Sequence, residues 1–156
     1  MRVLIGSYGD EIAAYTFADQ ILKPSGPRVW TPAPSFLAVH PSLPVLYGVS
    51  EVDEGAVVAF RLEENAITSL GGVPSGGKEP CHLIVTADGQ YVVCVNYRSG
   101  NVAAFALRTD GSLQWRTDLV QHTGSGPHPV RQTGPHCHEV VADGDLLHVV
   151  DLGTDH

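Results

Sequence analysis

One run of aliphatic and aromatic residues comes back three times along this chain at a constant interval. Residues 12–17 (IAAYTF) are matched by 57–62 (VVAFRL) and by 102–107 (VAAFAL), with corresponding residues 45 apart in both steps. Short apolar blocks rich in Val, Ile and aromatics read as strands. Strand blocks at a fixed period of this size specify a β-propeller, in which each repeat is one blade of four antiparallel strands. The repeat also bears on function. Propellers bind ligands around a central channel, so a residue's place within its repeat predicts whether it faces that channel.

The remaining strands fall into place around these blocks. With strands lettered A to D from the channel outward, the quoted blocks are C strands. A strands are expected at 34–39, 80–85 and 136–141. Turns follow at 40–44, 87–90 and 142–145, the last two carrying the Asp-Gly pair that supplies positive φ to short hairpins. B strands are expected at 3–8, 46–51, 92–97 and 147–152. They are apolar through most of their length, as strands covered on both faces are. Their ends turn polar in register, at Ser7, Ser50, Asn96 and Asp151. D strands carry the weakest signal, at 66–71 and 112–120. Gly71-Gly72 and Gly76-Gly77-Lys78 lack both the spacing of a phosphate loop and a following helix, so they read as a D-to-A connection.

The expected fold is therefore all-β: a partial propeller of about three to three and a half blades of four-stranded antiparallel sheet. Its parts would be the strands of a first blade at 1–31, blades at 32–76 and 77–121, an insertion loop at 122–135 and a partial blade at 136–156. A propeller needs a closed ring, so the sequence reads as the N-terminal part of one longer propeller domain. The insertion is visible as a change of interval. Ser50 to Asn96 is 46 residues, whereas Asn96 to Asp151 is 55. Long loops on a rigid scaffold are disproportionately functional.

Composition narrows the partners. The formal net charge of -8, with no basic run, argues against a nucleic-acid partner. No apolar run approaches the ~20 residues of a membrane span, and residues after Arg2 turn polar too soon for a secretory signal. Cys81, Cys94 and Cys137 form no CxxC pair. Their bland reading is free thiols of a cytoplasmic protein.

Chemistry-bearing residues gather late in the chain. Six of the eight histidines follow residue 120: His122, His128, His136, His138, His148 and His156. His136 and His138 open an A strand, and positions i and i+2 share a strand face. His82 aligns with His138 one repeat earlier, so the three imidazoles are expected to point into the channel together. Such a group could serve as general base near neutral pH or donate to an anionic substrate. Structural histidines bonded to backbone are the ordinary alternative. A zinc ion on His136 and His138 would need a third ligand that the sequence does not identify. Arg131, in the insertion, carries a planar fork suited to phosphate or carboxylate. Glu51 is the carboxylate best placed to act at the rim, while Asn96 and Asp151 combine possible substrate contacts with turn capping.

Several stretches resemble a known family. They are residues 77–82 (GKEPCH), 88–97 (DGQYVVCVNY), 134–138 (GPHCH) and 151–155 (DLGTD). These are similar to the seven-bladed β-propeller lactonases, of which 6-phosphogluconolactonase is the best-known activity. The resemblance implies a cytoplasmic carboxylic-ester hydrolase of the pentose phosphate pathway, with a small sugar lactone as its partner and no metal or organic cofactor. His136, His138 and Glu51 are then the expected catalytic residues, and Arg131, His82, Asn96 and Asp151 the expected substrate-binding ones. Fungal muconate-lactonizing cyclases resemble the same family, so a lactonizing enzyme is one alternative. A non-catalytic interaction scaffold is the other, though the Gly-His and Trp-Asp signals of interaction propellers are missing.

Overall fold

The computed structural model of the chain describes residues 1–155, and His156 lies outside the described residues. Thirteen strands form four antiparallel sheets, with no helix among the described residues. The first sheet holds β1 (Arg2–Ile5), β2 (Glu11–Ala18) and β3 (Ile21–Trp30). The second is β4 (Leu37–Val39), β5 (Val45–Ser50), β6 (Ala56–Leu62) and β7 (Ile67–Pro74). The third is β8 (Pro80–Val85), β9 (Tyr91–Asn96), β10 (Asn101–Leu107) and β11 (Leu113–Gln121). The fourth pairs β12 (Cys137–Asp143) with β13 (Leu146–Asp151). In blade terms the order is B-C-D, A-B-C-D, A-B-C-D, A-B, the partial propeller that the repeat specifies. Ile12, Val57 and Val102 occupy one position, second in β2, β6 and β10, facing Val29, Val73 and Val120 on the outer strands.

Blade stacking explains the apolar B strands. In β5, Val45, Tyr47 and Val49 pack towards the third sheet, against Leu83, Val92, Cys94 and Phe105. The alternate residue Leu46 turns the other way and joins Ile12, from the first sheet, and Phe60. The same division recurs in β9. Val92 and Cys94 face the second sheet, while Val93 and Val95 meet Cys137 and Val140 of the fourth. A strand alternates sides, so only neighbours on both faces can bury every residue of such a run. All six residues of β5, between two such neighbours, are buried. Tyr47 ties the two central blades further by donating its hydroxyl to the Gly111 carbonyl at 2.7 Å.

Three departures of element boundaries from the sequence reading bear on the architecture. The first A strand is only β4, because 34–36 does not join the ladder as regular strand, although Phe36 still accepts from the Val49 N–H. The first B strand ends at Ile5, not residue 8, and its ladder with β2 runs from Arg2↔Thr16 to Ile5↔Ala13. Gly71 and Gly72 lie inside β7 and are not a connection. Gly72 opposes Val58, where a Cβ would sit 2.9 Å from that side chain, so the strand needs its small residue there.

The packing predicts unequal costs for similar truncations. Phe105, fully buried between the central blades, should lose about 3–5 kcal/mol of stability on Phe105→Ala. Leu147→Ala, on the exposed face of β13, should change stability by no more than about 0.5 kcal/mol. Urea unfolding of the 156-residue chain followed by fluorescence checks both, and equal losses would contradict the blade assignment.

Candidate active site

Two positions of the repeat converge at one end of the inner strands. The first is an unpaired residue near the start of strand A. The β8–β9 register steps from Pro80↔Asn96 to His82↔Val95, leaving Cys81 without a partner. The β12–β13 register steps from Cys137↔Asp151 to Glu139↔Val150, leaving His138 in the same situation. A bulge of this kind re-aims the extra side chain. Extending the Leu37↔Gly48 register back by two residues puts Ser35 at the corresponding place in the second sheet. The second position immediately follows strand B, at Glu51, Tyr97 and Leu152, and in the first sheet the same offset gives Tyr8.

These residues enclose a pocket of about 320 Å³. Ser35, Cys81 and His138 come from the inner strands, and Tyr8, Glu51, Tyr97 and Leu152 from the strand ends. The guanidinium-bearing Arg131 reaches it from the insertion loop. A larger cleft, about 630 Å³, runs along β6 and β7 past Asp53, Gly76 and Lys78. We place the candidate site in the smaller pocket because Glu51, His138 and Arg131 all line it.

The electrostatics of the pocket assign states to its groups. Glu51 accepts from the Tyr8 hydroxyl at 3.1 Å on one oxygen and from the Ser35 hydroxyl on the other. Burial, and then the hydrogen bond to Glu51, hold the Tyr8 phenol above its ordinary value, so it stays a donor. Burial also pushes the Cys81 thiol up to about 12, with the Glu51 charge adding to the shift. A thiol held protonated is no nucleophile at neutral pH. Cys81 instead points its S–H at the His138 carbonyl, 3.4 Å away. The groups of the pocket that can exchange a proton or carry positive charge are then Glu51, His138 and Arg131.

The other candidate residues sit around this pocket without lining it. His136 stacks on Tyr97, with ring centroids 4.7 Å apart, and donates from Nδ1 to the Tyr97 carbonyl at 3.1 Å. His138 meets the same ring edge-on at 5.9 Å. The bulge between them breaks the i, i+2 relation, so only His138 enters the pocket. The alignment of His82 with His138 is corrected as well: in the register Cys81 matches His138, and His82 matches Glu139. The hairpin after β12 is two residues shorter than the one after β8, which shifts the comparison. His82 lies further along the inner wall, its ring tilted 40° against Phe36 with centroids 3.9 Å apart, and it accepts from the Val140 N–H at 3.4 Å. Asn96 is buried and donates to Asn101 Oδ1 at 2.7 Å, closing the turn between β9 and β10.

Asp151 ties the insertion to the site. Its Oδ1 accepts from the His136 and Gly153 N–H groups, each at 2.8 Å, and its Oδ2 from His122 Nδ1 at 2.8 Å. Burial alone would raise this carboxyl, but those hydrogen bonds hold it below its ordinary value. Gly153 packs against the loop, where a Cβ would fall 1.9 Å from the Gly134 carbonyl oxygen. The loop carrying Arg131 is thus fastened at both ends, by His122 before it and His136 after it. Among the described residues, the metal-type ligands that the structure brings together are His122, Cys137 and Asp151, not His136 and His138.

A family model described as "Lactonase, 7-bladed beta-propeller" matches residues 2–156. The chain belongs to that family. A 6-phosphogluconolactonase of Bacillus subtilis is 35% identical over 127 residues, covering 78% of this chain and 36% of the relative. Among solved structures, a candidate 6-phosphogluconolactonase from Bacteroides fragilis superposes with a TM-score of 0.91 at 31% identity, covering 99% of this chain and 46% of that one. A periplasmic gluconolactonase of Pseudomonas aeruginosa gives 0.89 at 28% identity, covering 99% and 48%. The chain thus spans about a third of the curated relative and about half of the solved propellers. No helix among the described residues is long and apolar enough to cross a membrane.

The environment of His82 predicts a pH dependence. Burial lowers its pKa below the ordinary 6.5, His138 adds to the shift and Glu139 opposes it. Between the folded value and 6.5 the unfolded chain therefore binds more protons, so stability should fall as pH drops through that window. His82→Phe should remove this component. Melting temperatures from pH 7.5 downward check it, and equal slopes for parent and variant would contradict the assignment.

Proposed function

We propose that these residues form part of the active site of a lactonase that opens a sugar lactone by water attack. The convergence of Glu51, His138 and Arg131 on one pocket carries this reading. The family and the relatives' names support it, and 6-phosphogluconolactone is the substrate we favour. Of the two possible bases, His138 is the better. Both Glu51 oxygens are already engaged as hydrogen-bond acceptors, whereas His138 has no such engagement with the pocket hydroxyls. Glu51 instead holds Tyr8 and Ser35 in place at the mouth of the pocket.

In this scheme neutral His138 takes a proton from water as the oxygen attacks the lactone carbonyl. The C=O pair moves onto oxygen, and Arg131 stabilises the resulting anion or holds the substrate's phosphate. Collapse breaks the bond to the ring oxygen, which recovers the proton from the His138 imidazolium. Lactone and water become one hydroxy acid, with nothing oxidised or reduced. His136 acts through Tyr97, whose ring it stacks against. His82, Asn96 and Asp151 shape the wall and the loop around the pocket.

We place the reaction in the cytoplasm, within the pentose phosphate pathway, on the ground of three free thiols and the favoured substrate. The name of the Pseudomonas aeruginosa relative, a periplasmic protein, means that fold alone does not decide the compartment.

Loss of 6-phosphogluconolactone, followed by NMR against spontaneous hydrolysis, tests the reading in the protein that carries these residues. His138→Ala should lower kcat about 100-fold or more. Arg131→Ala should lower kcat/KM, with the greater loss on the phosphorylated lactone. A parent rate no faster than the spontaneous one would overturn the proposal.

A further inference from the structure

The group at the base of the insertion is not used by the reaction above. His122 Nδ1, Cys137 Sγ and an Asp151 carboxylate oxygen all lie within 4.8 Å of one another. The individual separations are 2.8 Å from Nδ1 to Oδ2, 3.3 Å from Sγ to Nδ1 and 3.6 Å from Sγ to Oδ2. We propose that His122, Cys137 and Asp151 form a structural site for a zinc-class divalent ion that joins the two ends of the insertion loop.

The geometry is close to what such an ion requires. With Zn–N and Zn–O near 2.1 Å and Zn–S near 2.3 Å, the edges of a tetrahedral site are about 3.4–3.6 Å. The two edges that involve sulfur already fall within about 0.3 Å of this range. The imidazole–carboxylate edge must open most, by about 0.6 Å, as its hydrogen bond is replaced by two bonds to the ion. Hydrogen bonding explains the pairing of His122 with Asp151 but accounts poorly for the thiol. The Nδ1 proton is already used by Oδ2, and sulfur sits near both groups at lengths typical of weak contacts.

All three ligands are held by backbone interactions that an ion would not disturb. The His122 N–H donates to the Gly100 carbonyl at 3.0 Å. Cys137 and Asp151 are register partners in the β12–β13 ladder. Asp151 Oδ1 is occupied by the His136 and Gly153 N–H groups, leaving Oδ2 as the single binding oxygen. Such outer contacts orient a ligand before the ion arrives. Charge and protons also balance. The Cys137 thiol gives up its proton to solvent, neutral His122 shifts its proton to Nε2, and thiolate plus carboxylate neutralise a divalent ion. The fourth position would face solvent on the side of His122, whose side chain is 29% exposed, while Cys137 is fully buried.

The consequence lies in the loop. His122 and Cys137 bracket the segment that presents Arg131, and Asp151 stands on the next strand. An ion there converts a hydrogen-bonded closure into a coordinated one, and this does not depend on the lactonase reading.

Cobalt is the direct probe, since a thiolate ligand gives a near-ultraviolet charge-transfer band and a tetrahedral site gives visible d–d bands. Titration of the metal-free 156-residue chain with Co²⁺ should show both, saturating at one ion per chain and abolished by competing Zn²⁺. Cys137→Ser should lose the charge-transfer band, and the half-buried His122→Gln should weaken binding about 100-fold or more while retaining the fold. Cys81→Ser should keep the band. Zn²⁺ should slow proteolysis between residues 123 and 135. A parent without the band overturns the proposal, as does a band that survives both Cys137→Ser and His122→Gln or one that disappears with Cys81→Ser.

Discussion

The central B strands, β5 and β9, are stable because a blade lies against each of their faces. Alternation sends odd and even residues of β5 to opposite neighbours, so Val45, Tyr47 and Val49 belong to one interface and Leu46 to another. No single sheet here could bury such a run. Burial of apolar area, at roughly 25 cal/mol per Å², becomes available only when blades stack. The channel, its inner strands and the pocket at their ends are consequences of that stacking.

The pocket repeats the logic of the scaffold. It is built from one bulge position and one strand-end position, sampled in successive blades and given different side chains each time. Ser35, Cys81 and His138 share the first position, and Tyr8, Glu51, Tyr97 and Leu152 the second. Identical backbone offers identical directions towards the axis, so chemistry is written by substitution on a fixed frame. The insertion then adds what the repeat lacks, a cation, and Asp151 fastens that insertion through His122 and the His136 N–H. A buried carboxylate with four donors or ligands around it is a natural anchor, because removing any one leaves polar surface unpaired.

Much of this was legible without coordinates. The 45-residue interval, the sheet order and the polar ends of the B strands follow directly from residue type and spacing. Glu51, His138 and Arg131 were identifiable as candidates and do line one pocket. Tyr8, Ser35, Cys81 and Tyr97 were not, although a register comparison at the Glu51 and His138 positions places all four beside their counterparts. The i, i+2 rule failed for His136 and His138 because it assumes an unbroken ladder, and bulges leave no mark in a period-two pattern. The shortened hairpin after β12 likewise displaced His82 from its presumed match.

Sequence by itself determined that the chain makes four-stranded wedges with apolar faces, since alternation and turn chemistry are local properties. It also determined that a cationic loop interrupts the third interval. Tertiary structure alone decided how β5 divides its residues, with Val45, Tyr47 and Val49 going to one neighbouring blade and Leu46 to the other. It alone decided that a histidine, a thiol and a carboxylate from three separate segments meet at the foot of the loop. Both outcomes depend on what stands next to a strand in space, and residue order does not encode neighbours that the chain reaches only by closing on itself.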